Sequence, residues 1–499
     1  MGIIADQAFR LRHRDKIFVG GDWVSPSTSA LIDVINPSNE EIVVQVAEAQ
    51  ASDMDRAVAA ARAAFDEGPW PRLTHAERAM YLRAIANGIR SRREQFAAIQ
   101  SSQMGIPFRQ SLAVAPWTAD LYDYYADRAE DYPFIERHKA ADGGFGLLVR
   151  EPVGVVGAII PWNGPMTLIA PKLAPALLAG CTVIVKASPE APGEAYCLAE
   201  IIEEIGLPAG VVNIVTAHRA VSELLVRDPR VDKISFTGSS SAGKKIASIM
   251  GERIGRFTLE LGGKSAAVIL DDYDMATAAT ALTAESARMT GQVCAALTRI
   301  IVPRKRHDDF IEALTNAFAA TKVGDPFDPE TEMGPLATSR QRDIVERYIA
   351  IGKQQGAKLA AGGGRPEHIN RGFFVEPTVF ANVENSHTIA QEEIFGPVLS
   401  VIPADDDRHA ISIANDSVYG LNGAVFSKDI ERSYNVARQL RSGTVGHNGF
   451  RADFGIAFGG FKQSGLGREG GREGIHPYLE MKTMILDREP EALSKSATS

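Results

Sequence analysis

The sequence predicts an α/β protein of more than one domain, and three observations predict it. Strand-like runs rich in Val, Ile and Thr alternate with helical runs through most of the chain. The 499 residues exceed what one compact core holds, and the usual domain size suggests about three domains. The composition, 45% hydrophobic and 23% charged, is that of an ordinary globular chain.

The first segment reads as short strands, KIFVGGDWV, ALIDVINP and IVVQVAEA, broken by Gly, Pro and Asn. Helices follow. Ser52 and Asp53 precede the Ala-rich MDRAVAAARAAF. Thr74-xx-Glu77 has the form of a capping box, in which a hydroxyl and a carboxylate reciprocally satisfy free N–H groups at a helix start. It opens a long amphipathic helix with Leu82, Ile85, Ile89 and Phe96 at helical spacing. GGFGLLV and the β-branched VGVVGAII come next. Three strand–helix pairs succeed them: TVIVKAS with EAYCLAEIIEEIG, VVNIVTA with AVSELLVRD, and KISFTGS with SAGKKIASIMGERIG. This rhythm is the signature of parallel α/β units. From 262 to 460 it repeats with AAVIL, TRIIVP, a long helix from His307, and TVF, a second α/β unit. The final YLEMKTMILD alternates like a strand and suits pairing with another element or another subunit.

A net charge of −9 leaves no basic excess to neutralise nucleic-acid phosphates. Cys181, Cys197 and Cys294 are odd in number, widely spaced and without a CxxC pair, which speaks against a disulfide scaffold or a zinc ribbon and for a reducing compartment. No metal site is expected. The start, MGIIADQAFRLRHRD, lacks the apolar stretch of a secretory signal, and Asp6 stands where a myristoylation pattern wants Ser or Thr. With no run of eighteen apolar residues, a cytoplasmic protein without a membrane partner is expected.

Three residues carry candidate chemistry. Cys294, in TGQVCAALTR, lies between a helical run and a strand, and Gly291 permits a sharp approach there. A thiolate attacking a carbonyl carbon gives a thiohemiacetal able to lose hydride. The bland alternative, a small buried hydrophobe, is the reading for Cys181 and Cys197. Glu260, in FTLELGGKS, is a carboxylate in an apolar strand, and two glycines after it let a ligand or another backbone come close. Desolvation would raise its pKa into the range of a general base; otherwise it is a strand-end surface residue. Asn163, in IIPWNGP, could donate to an oxyanion without pairing with the thiolate, or simply form a turn.

A candidate anion platform follows. KISFTGSSSAGKKIA is a strand, a glycine-punctuated turn and a helix, a geometry that points backbone N–H groups at a phosphate. Gly238 to Lys244 also matches GxxxxGK, most of a nucleotide-hydrolase phosphate loop, but Lys245 fills the position that needs Ser or Thr to hold magnesium. Lys186, closing TVIVK, could hold a ribose or phosphate, or snorkel at the surface. Glu393 and Phe395, in EEIFGPV, could grip a ribose and a nicotinamide ring, or anchor a loop.

PWN, FTGS, ELGGKS, GQxC, EEIFGPV and FGGFKQSGLGREGG occur together in this order, and with them the chain resembles the aldehyde dehydrogenase superfamily over nearly its whole length. The resemblance implies a Rossmann-type cofactor domain (1–129 and 150–261), a catalytic domain (262–460), and a β-arm with a C-terminal strand (130–149 and 461–499) that builds dimers or tetramers. It implies Cys294 as nucleophile, Glu260 as base for thiol or water, and Asn163 with the Cys294 N–H as oxyanion site. Lys172 matches a lysine near the catalytic water path. Trp162, Lys186, Ser239, Glu393 and Phe395 fall on cofactor contacts, with Gly238 shaping the turn beside them. The implied reaction is oxidation of an aldehyde to its acid with NAD, through a thioester that water cleaves. A coenzyme-A-acylating enzyme is the alternative; relatives of that kind generally lack the carboxylate at the position of Glu260.

Two departures bear on specificity. Relatives often read KPAE where this chain reads KASPE, so Pro189 replaces a ribose-binding Glu and Glu190 comes one residue later. NADP therefore stays open beside NAD. Gly164 stands where relatives place an aromatic, which should widen the aldehyde tunnel. Val293 and Phe450 suggest an apolar lining for a medium or bulky hydrophobic aldehyde, while Arg288 could attract an anionic one or be a solvated helix residue.

Overall fold

The computed structural model describes residues 10–141, 143–491 and 493, so Asp6 and the rest of the first nine residues, on which the targeting expectations partly fall, lie outside the described residues. Two large sheets and two small ones organise them. The first large sheet holds five parallel strands in the spatial order Arg256–Glu260, Lys233–Thr237, Val155–Ile159, Thr182–Ala187 and Val212–Thr216. Numbered along the chain this is 5-4-1-2-3, the doubly wound order of dinucleotide-binding sheets. Antiparallel strands close both edges: Gly465–Leu466 beside Arg256–Glu260, and the hairpin Ile17–Val19 with Asp22–Val24 beside Val212–Thr216.

Apolar runs such as VVGAI suit this sheet because both of its faces are covered. Val156, Ala158 and Ile160 enter one hydrophobic cluster, while Val155 and Ile159 enter another on the opposite face. The second large sheet holds six parallel strands, ordered Thr378–Ala381, Val398–Ala404, Leu297–Pro303, Ser265–Ile269, Asn422–Phe426 and Thr444–His447, with Lys358–Ala361 antiparallel at one edge. Its faces are covered in the same way, by Ala266 and Val268 on one side and Ala267 and Ile269 on the other. Only four residues separate the end of the first sheet at Glu260 from the start of the second at Ser265.

The C-terminal strand Leu479–Leu486 pairs along its whole length with Phe145–Pro152 of the same chain, and Ile135–Lys139 completes a three-stranded antiparallel sheet.

Several local expectations need correction. Gln50, not Ser52 or Asp53, caps helix Ala51–Asp66; Asp53 sits inside its first turn, fully buried, and accepts the Gln50 N–H at 2.8 Å. The Thr74–Glu77 capping box is present, but the helix it opens stops at Ser91. Arg92 leaves helical geometry (φ −109°, ψ 22°), so Phe96 belongs to a second helix, Arg93–Met104. Helix Pro165–Ala179 has no counterpart in the sequence reading, because Pro171 and Pro175 lie inside it and argue against a helix.

Candidate active site

The winding of the first sheet reverses between Val155–Ile159 and Lys233–Thr237, and in such sheets ligands sit at the carboxyl ends beside that reversal. Trp162 and Asn163 follow the first of these strands; Gly238 and Ser239 follow the second. A Cβ at Gly238 would stand 2.5 Å from the tip of the Phe236 ring, so a larger residue here would shift that ring. Ser239 caps helix Ser240–Glu252, its Oγ accepting the Ala242 N–H at 3.3 Å. The helix start carries free N–H groups and the positive end of its dipole.

Lys186 is buried on the neighbouring strand; burial pushes its amine down to about 8, and Glu190 pulls it back up. Glu190 accepts a hydrogen bond from Ser188 Oγ and pairs with Arg340 at 3.1 Å. Trp162 meets the Phe395 ring edge-on at 5.4 Å. The phosphate-loop alternative does not fit: the chain is already helical from Ser240, and Lys245 pairs with Glu223 on helix Arg219–Arg227.

The second sheet contributes from the opposite direction. Cys294 precedes strand Leu297–Pro303, and Glu393 with Phe395 precedes Val398–Ala404. The amino ends of the second sheet therefore supply what joins the carboxyl ends of the first. Helix Met275–Ala287 runs into the turn Arg288–Gly291, where Met289 and Thr290 adopt φ of 50° and 56°. At Gly291 (φ +71°) a Cβ would lie 2.4 Å from the Gly396 carbonyl carbon and oxygen, tying this turn to the Glu393–Phe395 segment. Asn163 is buried, and its Nδ2 donates to the Gln292 carbonyl at 3.0 Å, two residues before the sulfur.

The two glycines after Glu260 pack where nothing larger fits. A Cβ at Gly262 would meet Glu393 Oε2 at 2.0 Å, and one at Gly263 would meet the Cys294 carbonyl oxygen at 2.4 Å. The Gly263 N–H donates to Glu393 Oε1 at 3.3 Å. Half-buried Cys294 has its thiol pushed up to about 12, by burial first and then by the Glu393 and Glu260 carboxylates. Burial likewise raises Glu393 to about 7. Cys181 and Cys197 are buried in the core, and burial raises both thiols.

Glu260 ends its strand buried, and among the described residues neither carboxylate oxygen has a hydrogen-bond partner. Burial, reinforced by Glu469, holds its carboxyl well above the ordinary range, while Lys172 and Arg468 pull it down. Its backbone carbonyl accepts the Gly238 N–H at 3.0 Å, which joins the Gly238–Ser239 turn to the strand of Glu260. Fully buried Lys172 donates to Thr237 Oγ1 at 2.7 Å and pairs with Glu469.

Gln292, Glu469 and Thr237 lie within the motifs, but nothing local in the sequence assigns them a task. Gln292 accepts the Ala337 N–H at 2.9 Å and donates to the Met289 carbonyl at 3.0 Å, so it locks the turn before the thiol. The FGGFKQSGLGREGG run packs against Glu260: a Cβ at Gly459 would come within 2.7 Å of Glu260 Oε1, and Glu469 supplies the partner of Lys172. Their signal was the motifs themselves; what each contacts was visible only after folding. Gly164 has open space beside it, the nearest atoms to an added Cβ being Thr167 at 3.8 Å and Met289 at 4.0 Å. Arg288 pairs with Glu285 and lies over Phe450, while its side chain stays partly exposed to solvent.

Residues 23–484 match the model of the aldehyde dehydrogenase family. The chain is similar to a geranial dehydrogenase of Castellaniella defragrans, 45% identical over 471 residues that cover 94% of this chain and 98% of the relative. Among solved structures it is similar to a Mycobacterium tuberculosis aldehyde dehydrogenase complexed with NAD+ (TM-score 0.92, 45% identity, 95% of this chain and 98% of that one). It is also similar to a mutant of aldehyde dehydrogenase C from Pseudomonas syringae, in complex with NAD+ and octanal (TM-score 0.92, 39% identity, 95% and 97% covered).

Proposed function

Because the chain belongs to the aldehyde dehydrogenase family, we propose that it oxidises an apolar aldehyde of medium length or bulk to the carboxylic acid, with NAD as oxidant and Cys294 as nucleophile. The observation that carries this is the convergence of two sheets on one short segment: the Asn163 amide and the Gly263 backbone both meet Gln292–Cys294, and the Glu260 and Glu393 carboxylates are close enough to raise the thiol.

The residues fit a dinucleotide. The doubly wound strand order, the Gly238–Ser239 turn at a helix start, buried Lys186 and the Trp162–Phe395 pair suit a pyrophosphate, a ribose and a nicotinamide in turn. The NAD+ complexes of the similar structures support NAD. So does Glu190, whose charge Lys186 feels, because a carboxylate there repels a 2′-phosphate. NAD, when bound, supplies the hydride acceptor.

The protein's own groups do the rest. Cys294 gives up its proton to solvent water and attacks the aldehyde carbon as the thiolate, and Asn163 with the Cys294 N–H receives the oxyanion. Loss of hydride leaves a thioester on the sulfur. Glu260 then takes a proton from water, whose oxygen attacks the thioester carbon and displaces the Cys294 thiolate, releasing the acid. An unpartnered, desolvated carboxylate is suited to that step, since it has no ion pair to give up when water arrives. Lys172 holds Glu469 and Thr237 and tempers the rise in Glu260. A base at 260 favours hydrolysis over transfer to coenzyme A. Among the described residues no helix is long and apolar enough to cross a membrane; the three free cysteines support a reducing, cytoplasmic setting.

The test is NADH formation by the purified chain with medium-chain and aromatic aldehydes. Cys294→Ala should abolish it. Glu260→Gln should keep a burst of one NADH per subunit and slow the steady rate about a hundredfold or more. Inertness toward a broad aldehyde panel with both NAD and NADP would sink the reading; a rate that depends on coenzyme A would replace it with acyl transfer.

A further inference from the structure

Arg288 opens the turn that leads to Cys294. Its guanidinium lies over the Phe450 ring at 4.3 Å and pairs at 2.8 Å with Glu285, in the last turn of helix Met275–Ala287. Phe450, Val293 and Cys294 all pack against the hydrophobic cluster that contains Met166, Phe454 and Phe458. Phe454 stacks on Phe458 at 4.7 Å and meets Trp117 edge-on at 5.5 Å, and Trp117 is 37% exposed. Phe450, Val293 and Cys294 thus pack on the same apolar cluster whose Phe454 reaches partly exposed Trp117, and Arg288 is laid on the Phe450 ring.

This cation is already neutralised on one side. The side chain of Glu285 is 14% exposed and accepts from Nη2, and the Phe450 ring covers one face, while the Arg288 side chain stays 41% exposed. Arg451 and Asp453, exposed on the segment between Phe450 and Phe454, add one charge of each sign.

We propose that the Arg288–Glu285 pair, seated on Phe450, is a specificity determinant that balances charge at the mouth of the aldehyde channel, selecting neutral apolar aldehydes and rejecting those that carry a second, ionised carboxylate. The proposal rests on aldehyde oxidation at Cys294. A substrate carboxylate that reaches Arg288 meets a charge that Glu285 already neutralises and comes close to that largely buried carboxylate, whose repulsion offsets the new contact. A neutral chain packs on Phe450 and on the stem of Arg288 with no such repulsion.

The experiment compares kcat/KM, with NAD, for nonanal and for the nine-carbon oxo acid that has a carboxylate in place of nonanal's terminal methyl. Wild type should favour nonanal by about tenfold or more. Glu285→Gln, which frees the guanidinium at constant shape, should narrow that preference by about tenfold, through a lower KM for the oxo acid. Arg288→Met should leave the oxo acid poor, and adding Arg288→Met to Glu285→Gln should cancel the gain. Equal kcat/KM for the two aldehydes in wild type, or an unmoved ratio in Glu285→Gln, overturns the proposal while nonanal oxidation stands. If wild type oxidises neither aldehyde, the reading of the reaction falls and takes the proposal with it.

Discussion

At Gly263 the space for a side chain is taken by the carbonyl of Cys294, 2.4 Å from where a Cβ would stand. Any other residue must push the thiol segment away from the Asn163 amide that holds it through Gln292. Gly263→Ala should therefore cost about a hundredfold in kcat, the effect of a displacement of roughly 1 Å at reacting atoms, while the circular dichroism of the fold is retained. An unchanged kcat would show that Cys294 is not held from this side. The thiol itself makes a pH prediction. Burial and then Glu393 hold it up near 12, so in the cofactor-free protein it is protonated at neutral pH, and iodoacetamide labelling should rise with pH across the neutral range. Glu393 is raised to about 7, so its charge opposes the thiolate mainly above that pH. Glu393→Gln should accordingly speed labelling above pH 7 and have little effect below; no difference at high pH would remove Glu393 from the thiol's surroundings.

Helix Pro165–Ala179 carries Asn163 just before its start and Lys172 on its third turn, so its seating positions both candidate site groups together. Glu194, buried at the start of helix Gly193–Glu204, holds it by accepting the Met166 N–H at 3.1 Å, and burial raises that carboxyl to about 8. A folded-state value above the ordinary one near 4.5 means that the folded protein holds this proton more tightly than the unfolded chain. Its contribution to stability is full below pH 4.5 and is lost progressively as pH rises through about 8. Glu194→Gln keeps an acceptor for Met166 and removes the titration, so its melting temperature should gain on wild type from acid to pH 8 and level off above. A difference that stays flat with pH would mean the carboxyl is not held protonated. Much of this element layer was legible in the chain. The strand–helix pairs from Thr182 to Glu252 stand where the alternation puts them, because parallel strands covered on both faces need continuous apolar runs. The helix at Pro165 was not, since Pro171 and Pro175 argue against one locally and packing among buried neighbours overrides them. Nor was the work of Gln292 or Glu469, because it depends on contacts with residues far along the chain.

At the scale of the molecule, the two large sheets meet with unlike ends, carboxyl against amino, and Gly262 and Gly263 are the link that crosses between them. The small sheet of Ile135–Lys139, Phe145–Pro152 and Leu479–Leu486 takes part in neither, and it leaves two edge strands with unpaired backbone groups. Alternation puts Met481 and Ile485 on one face of Leu479–Leu486, where they are 72% and 65% exposed. Arg150 and Gly146 lie opposite them on the neighbouring strand, and Thr483 faces Leu148 between. Solvated alone, that face exposes apolar area beside open edges, the combination that a second copy of the chain would cover by continuing the sheet or stacking on it. We propose a homo-oligomer built on this sheet, whose disruption should leave the site chemistry in place, since Cys294, Glu260 and Asn163 all stand on other elements. Replacing both Met481 and Ile485 by Lys puts two like charges on the face without touching the backbone pairing to Phe145–Pro152. Sedimentation of wild type should give a mass of two or four chains, and the double variant should fall to a smaller species. A wild type that sediments as one chain, or a double variant with undiminished mass, would place the subunit contact elsewhere or nowhere.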